Sequence, residues 1–277
     1  MTATRTWLGD RSVVCVEGED AESFLQGLLT NDVEGLAPGE ARYGALLTPQ
    51  GKILFDMLVV RIASEAGKAF RLDCTAAQAA NLAKRLGFYK LRAKVTVVDA
   101  SADFGVIAAW EDRPEPAPGM TLYADPRDPR LGWRAILPRV EAEAVGQTGL
   151  PAYERLRVHS VIPEGGVDFV YGDAFPQDAN FDLLSGVDFK KGCYVGQEVV
   201  SRMKHRGTAR KRIVRVRLSS EAPPPGTPVL DGELPVGAIG SSFAQEALAM
   251  LRLDRVEEAG AAGRRLTAGG AEVALAE

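Results

Sequence analysis

The chain has 277 residues, a net charge of −4 at neutral pH and 46% hydrophobic residues. This is enough apolar material for two or three packed domains and excludes a disordered polyelectrolyte. With Cys15, Cys74 and Cys193 far apart, no CxxC pair and only His159 and His205 as histidines, composition also excludes a disulfide framework and a His/Cys metal cluster.

The first eleven residues are polar and mixed, and no run of about 18 apolar residues occurs, so neither a signal peptide nor a membrane helix is predicted. A soluble, cytoplasmic monomer is the resulting expectation. Residues 12–16 read as a strand. Asp20 is placed to cap a helix whose apolar face is Phe24, Leu25, Leu28 and Leu29, broken by Thr30-Asn31-Asp32. Residues 43–47 and 52–62 read as strands joined by a hairpin turn at Thr48-Pro49-Gln50-Gly51. A strand over 68–73 leads to an Ala-rich helix, with Thr75 as its cap and Gly87 as its stop. Strands follow over 95–98, 104–109, 120–123 and 133–137, giving an α+β unit over roughly 46–140.

The Pro-rich, acidic segment 112–119 fits either a linker or a surface loop. Pro151 opens a helix to about 158, and 168–192 is mostly loop. A short helix over 197–203 sets Glu198 and Arg202 four residues apart, able to pair. Beyond Gly207, strand alternation (Val214, Val216 and Leu218 against Arg215 and Arg217) and turn signals predict a small C-terminal β-barrel or sandwich.

Chemistry concentrates at Cys193. It follows Lys190 and Lys191, lies between Gly192 and Gly196, and precedes a helix start, a setting that favours thiolate over thiol. The alternative is a small buried residue in a tight loop. Cys15 lies mid-strand and Cys74 follows an apolar strand without flanking glycines, so both read as core. Between residues 199 and 220 there are eight Lys/Arg and no Asp or Glu. Such a field attracts an anionic ligand or an RNA backbone, or is a solvated strand face. Gln177, Asp178 and Asn180 offer groups able to read a flat heterocycle or, alternatively, to close turns.

The segment Lys191-Gly192-Cys193-Tyr194-Val195-Gly196-Gln197-Glu198, followed by Arg202, resembles the signature of the YgfZ family of folate-binding proteins, relatives of the glycine cleavage T-protein. Phe24-Leu25-Gln26-Gly27 with Thr30-Asn31-Asp32-Val33, Thr48-Pro49-Gln50-Gly51-Lys52-Ile53, Phe175-Pro176-Gln177-Asp178-Ala179-Asn180-Phe181 and Gly186-Val187-Asp188-Phe189 support it in order. The resemblance implies an α+β fold, a three-domain ring of the T-protein type. Residues 1–45 with 145–206 would form the folate domain, 46–144 an inserted ferredoxin-like α+β domain, and 207–277 a β-barrel. It implies tetrahydrofolate, or a one-carbon derivative, as cofactor, with contacts from Tyr153, Gln177, Asn180, Tyr194, Gln197, Glu198 and Arg202. It implies action in iron–sulfur cluster assembly or repair through Cys193, assisted by Lys191, with iron–sulfur proteins as clients, an indirect link to tRNA modification and no resident metal.

The chain departs from T-proteins where they carry paired acids: here the pair reads Phe55-Asp56. Their further pterin-side carboxylate falls near His159, and one family stacking aromatic falls near Arg11. Two other functions stay open. One is folate-dependent aminomethyl transfer with Asp56 as the acid–base group. The other is a non-catalytic tRNA-associated module using the basic run.

Overall fold

The computed structural model describes residues 4–64, 67–207 and 210–276. The chain begins with strands β1 (Arg5–Trp7) and β2 (Arg11–Gly18) and helix α1 (Ala21–Gln26). Strands β3 (Ala41–Leu47), β4 (Ile53–Ile62) and β5 (Lys68–Thr75), helix α2 (Ala79–Tyr89) and strands β6 (Thr96–Asp99), β7 (Phe104–Ala109), β8 (Thr121–Ala124) and β9 (Trp133–Pro138) come next. Helices α3 (Arg139–Val145), α4 (Leu150–His159) and α5 (Gln197–Arg206) lead into the last part. That part holds strands β10 (Lys211–Leu218), β11 (Pro228–Asp231), β12 (Leu234–Phe243) and β13 (Glu246–Arg252), helix α6 (Leu253–Ala261) and strands β14 (Leu266–Ala268) and β15 (Ala271–Leu275).

Three sheets form. The first is antiparallel, in the order β3-β4-β5-β2-β6. Its strands read as nearly continuous apolar runs because both faces are covered. Along β4, Met57 and Val59 join Val14, Val16, Phe70 and Leu72 beneath α1 and α2. The alternate residues Leu58 and Val60 point to the other side, with Val13, Tyr43 and Ala45, against the second sheet and α4. The second sheet runs β1-β7-β9-β8. The third is a closed six-stranded barrel, β10-β13-β12-β11-β14-β15, filled by Val216, Val229, Val236, Ile239, Ala249 and Leu251. Closure leaves no unpaired barrel edge.

Several expectations move. The division after residue 45 falls inside β3, where Leu46 and Leu47 pair with Phe55 and Ile53. β2 lies between β5 and β6, and β1 pairs with β7. Alternating apolarity marks a strand but not its partner, and these partners are distant in sequence. Residues 112–119 are a loop within the second sheet, since both β7 and β8 pair with β9. Gly87 does not stop α2, which continues to Tyr89; a Cβ there would meet open space, so nothing forces the chain to turn. Thr75 adopts extended backbone before a single 3₁₀ turn and makes no side-chain cap bond.

Candidate functional site

The cysteine loop is built by latches between distant segments. Asp188 Oδ1 accepts from the backbone N–H of Lys190 and Lys191, at 2.7 and 3.2 Å, closing the turn into the motif. The Lys191 ammonium then crosses to the chain just past α1. It donates to the carbonyls of Gln26, Leu29 and Asn31 at 2.8, 2.7 and 2.8 Å. Gln26 closes α1, and its carbonyl is an acceptor that a helix end leaves without an intrahelical partner, whereas Leu29 and Asn31 lie beyond the helix. Burial lowers the Lys191 ammonium to about 8, with Asp32 and Asp188 working against the shift.

The receiving segment is itself fixed. Thr30 Oγ1 donates to the Gly186 carbonyl, and Asn31 Nδ2 donates to the carbonyls of Tyr43 and Ser185. The sequence segments around Thr30-Asn31 and Lys191 are thus two halves of one joint. Lys191 holds the loop in place, a role that spacing alone did not disclose.

On the other side of Cys193, Gly196 takes φ +82° and begins α5. A Cβ on it would sit 2.6 Å from the Thr48 carbonyl oxygen and 3.0 Å from Gly51 Cα. Gly51, at φ +81°, has Val199 equally close against it. The hairpin turn after β3 therefore seats the start of α5, and both glycines are required by proximity and by backbone conformation. Between these anchors Cys193 is exposed. Tyr194 is buried behind it, with the Lys191 ammonium 5.4 Å from its ring centroid. Glu198 and Arg202 form the expected i, i+4 pair at 2.8 Å on the exposed face of α5.

Asp56 lies elsewhere, inside β4. Its carboxylate accepts from Tyr171 Oη at 2.5 Å and from Tyr43 Oη at 3.2 Å, and only 3% of the residue is exposed. Burial and the neighbouring Asp56 charge push the Tyr171 pKa well above its ordinary value, keeping the hydroxyl protonated and a donor. A Cβ on Gly165 would collide with the Tyr171 hydroxyl, so the loop backbone closes this pair off.

Tyr153 is fully buried in α4, where its hydroxyl meets Arg134 Nη2 at 2.7 Å. Sequence reading missed the network it joins. Arg11 and Arg134 flank Asp73 at 2.7 Å each, while Arg134 and Arg127 flank Asp125 at 3.0 and 2.7 Å. Tyr123 donates to Asp73 at 2.9 Å. Burial opposes ionisation of both aspartates. Arg11 and Arg134 outweigh it at Asp73, and Arg127 and Arg134 at Asp125, holding both below the ordinary carboxylate range. The available signal was charged residues at inward strand positions, such as Asp73 and Arg134, which only pairing makes interpretable.

Gln177 and Asn180 serve as ties. Gln177 Nε2 donates to the Val200 carbonyl of α5 at 2.8 Å, and Asn180 Nδ2 donates to the Ile213 carbonyl of β10 at 2.8 Å. Arg212 bridges to Asn180 Oδ1 and pairs with Asp182. Of the basic run, Arg202, Arg212 and Arg217 are thus matched with Glu198, Asp182 and Glu246. The Arg206 side chain lies outside the described residues.

The expected tetrahydrofolate contacts do not converge. Tyr153 belongs to the buried charge network, Gln177 and Asn180 join segments of the chain, and Glu198 and Arg202 face solvent. These five side chains are thus engaged within the protein or on its surface. Among the described residues no group of three His, Cys, Asp or Glu side chains is placed to hold a metal ion, and no helix is long and apolar enough to cross a membrane.

Comparison with known proteins gives consistent results. The family model of the GCVT N-terminal domain matches residues 11–110, and that of the CAF17 C-terminal β-barrel domain matches 210–277. The iron–sulfur cluster assembly factor IBA57 of Mus musculus, named mitochondrial, is 37% identical over 79% of this chain and 67% of its own length. The Homo sapiens protein of the same name is 33% identical over 81% and 70%. A homologue from Mycosarcoma maydis is 34% identical over 80% of this chain but 59% of its own, so the chain spans about three fifths of that relative. The aminomethyltransferase T of the glycine cleavage system from Bartonella henselae superposes with a TM-score of 0.76 over 99% of this chain and 84% of its own. At 17% identity that likeness shows the fold alone. The expected likeness to T-protein relatives holds, and within it these relatives carry the IBA57 name. One expectation is corrected: the relatives are named mitochondrial, which overturns the cytoplasmic assignment.

Proposed function

The chain belongs to the family of IBA57 iron–sulfur cluster assembly factors, and from that premise we propose that it acts in cluster assembly by lending Cys193 as a transient ligand. The observation that carries this reading is an exposed thiol on a loop fixed at both ends, by Lys191 on one side and Gly196 on the other. A cluster normally takes four protein ligands, and one cysteine supplies a single thiolate. A client or carrier protein must provide the rest. In the step, Cys193 gives its proton to solvent and its sulfur lone pair to iron, displacing one ligand of the carrier, which leaves with its own electron pair. The fixed loop presents the sulfur without an ordering cost at each encounter.

Aminomethyl transfer is not favoured. Asp56, its acid–base candidate, is buried and engaged by two tyrosine hydroxyls. Any effect on tRNA modification follows in this reading from iron–sulfur enzymes that depend on assembly.

The test is rescue of iron–sulfur enzyme activity in cells lacking their own IBA57. Wild type restores activity, and Cys193→Ala, expressed to the same level, does not. Full rescue by Cys193→Ala sinks the proposal.

A further inference from the structure

Helix α2 carries a surface that neither the core nor the thiol chemistry at Cys193 uses. Its inward stripe, Ala79, Leu82 and Leu86, is buried. Gln78, just before the helix, recurs with Asn81, Arg85 and Phe88 at the three- and four-residue spacing that shares one helix face. These side chains and Lys84 line a cleft of about 470 Å³, which Tyr171 also borders.

The charge here is one-sided. Between residues 76 and 98 there are five Lys/Arg and no Asp or Glu, in a chain of net charge −4. Lys94 pairs with Glu19. Lys84, Arg85, Lys90 and Arg92 have no carboxylate partner among the described residues. No carboxylate lines the cleft, and Asp173, on the loop beyond Tyr171, is taken by Lys52 at 2.8 Å.

A second, independent observation is apolar. Phe88, on the cleft wall, is 66% exposed, and Leu91, three residues on, is 90% exposed. Leu91 also holds φ +42°, in the left-handed region that leucine rarely enters. The turn after α2 thus projects a large aliphatic side chain into water. Val170, next to Tyr171 in the chain, is exposed as well. Held out beside unpaired cations, these side chains bring the folded chain no burial of its own. A surface that is both apolar and acidic would cover them favourably.

We propose that α2 and the cleft beside it dock an acidic segment of a partner protein, its carboxylates on Lys84, Arg85, Lys90 and Arg92 and an aliphatic side chain against Phe88 and Leu91. Its peptide groups meet the side-chain amides of Gln78 and Asn81, which have no hydrogen-bond partner among the described residues. From Gln78 to Phe88 the chain rises about 15 Å, the length of about five extended residues. A bilayer fits less well: its surface leaves a concave cleft unfilled and brings no peptide groups to Gln78 and Asn81. An RNA strand offers phosphates but no aliphatic group to Leu91. The inference does not depend on the role of Cys193.

The experiment is an NMR titration of the ¹⁵N-labelled full chain with an acetylated, amidated pentapeptide of four glutamates around a central leucine. Saturable shifts are expected in the backbone amides of 78–92 and the side-chain amides of Gln78 and Asn81. A control peptide with serine at the centre binds at least about fivefold more weakly. The exposed pair Lys84→Glu with Arg85→Glu lowers affinity for the leucine peptide by at least about tenfold, the rest of the amide spectrum staying in place. Phe88→Ser with Leu91→Gly brings the leucine peptide down to the level of the serine control; glycine suits the backbone at 91, so the fold is kept. No shifts at millimolar peptide, equal binding of the leucine and serine peptides, or affinity untouched by the charge reversals overturns the proposal. Tighter binding through the same residues to vesicles of equal parts phosphatidylcholine and phosphatidylglycerol, or to oligouridine, also overturns it and assigns the face to a membrane or a nucleic acid.

Discussion

Gly51 and Gly196 meet across two turns so closely that a Cβ on Gly196 would lie 3.0 Å from Gly51 Cα. One glycine ends a hairpin and the other opens α5, and together they fix where the cysteine loop leaves the body of the protein. Both have positive φ, so a side chain at either position adds backbone strain to collision. Gly196→Ala is expected to lower stability by about 1–3 kcal/mol and to reduce rescue of iron–sulfur enzymes although Cys193 is intact. Gly51→Ala should do the same, and the double variant should lose less than the sum, because each substitution relaxes the same joint. Calorimetry on the three variants checks this.

Lys191 gives a sharper distinction. If its ammonium holds the loop, Lys191→Met leaves three carbonyls without their donor and costs about 2–4 kcal/mol. The melting temperature and the protection of backbone amides at 185–196 should fall together. A variant with unchanged stability but no activity would assign Lys191 to chemistry at the thiol.

Acid stability should report the buried charge network. Asp73 and Asp125 both have depressed folded-state proton affinity, with an ordinary value of 3.8 for the unfolded chain. Below that value the unfolded state takes up protons that the folded state resists. Their contribution is therefore complete above about pH 4 and is lost as the pH falls through the folded-state values. Urea unfolding between pH 5 and pH 2 should show this loss. Asp125→Asn should flatten the curve while lowering stability at neutral pH, since it leaves Arg127 buried without a counter-charge and Arg134 sharing Asp73 with Arg11.

The barrel is fastened to the rest by Asp168. One carboxylate oxygen accepts from the Ser241 amide at 2.6 Å; the other accepts from Ser241 Oγ at 3.0 Å, the Glu164 amide at 2.7 Å and Arg157 at 3.1 Å. Asp168→Asn keeps the shape but turns an acceptor into a donor facing donors. It should cost about 2–4 kcal/mol, and hydrogen exchange should quicken in β12 before it does in β4.

Much of this architecture was legible in the sequence. The hairpin at Thr48–Gly51 and the barrel strand with inward Val216 and Leu218 follow from turn chemistry and alternation, which are local. The exposed motif around Cys193 was singled out by its unusual cysteine context. What stayed hidden were meetings between distant segments: Lys191 with the end of α1, Gln177 with α5, Asp73 with Arg134. A lysine next to a cysteine looks like an activating charge until the carbonyls it binds are known. Gln177 and Asn180 offered ligand contacts because polar groups in loops can also close turns, and Tyr153 entered only through the family resemblance; their partners here are the Val200 and Ile213 carbonyls and Arg134.

The placement of β2 bears on how the chain is made. Val14 pairs with Leu72 on one side and with Asp99 on the other, so this strand lies between two that follow it at a distance in the chain. Until residue 99 has emerged, this apolar strand has at least one open edge, and the Lys191 latch onto the end of α1 forms later still. Pairing between segments so far apart slows folding, and it leaves the apolar edges of β2 open until the later segments close on them.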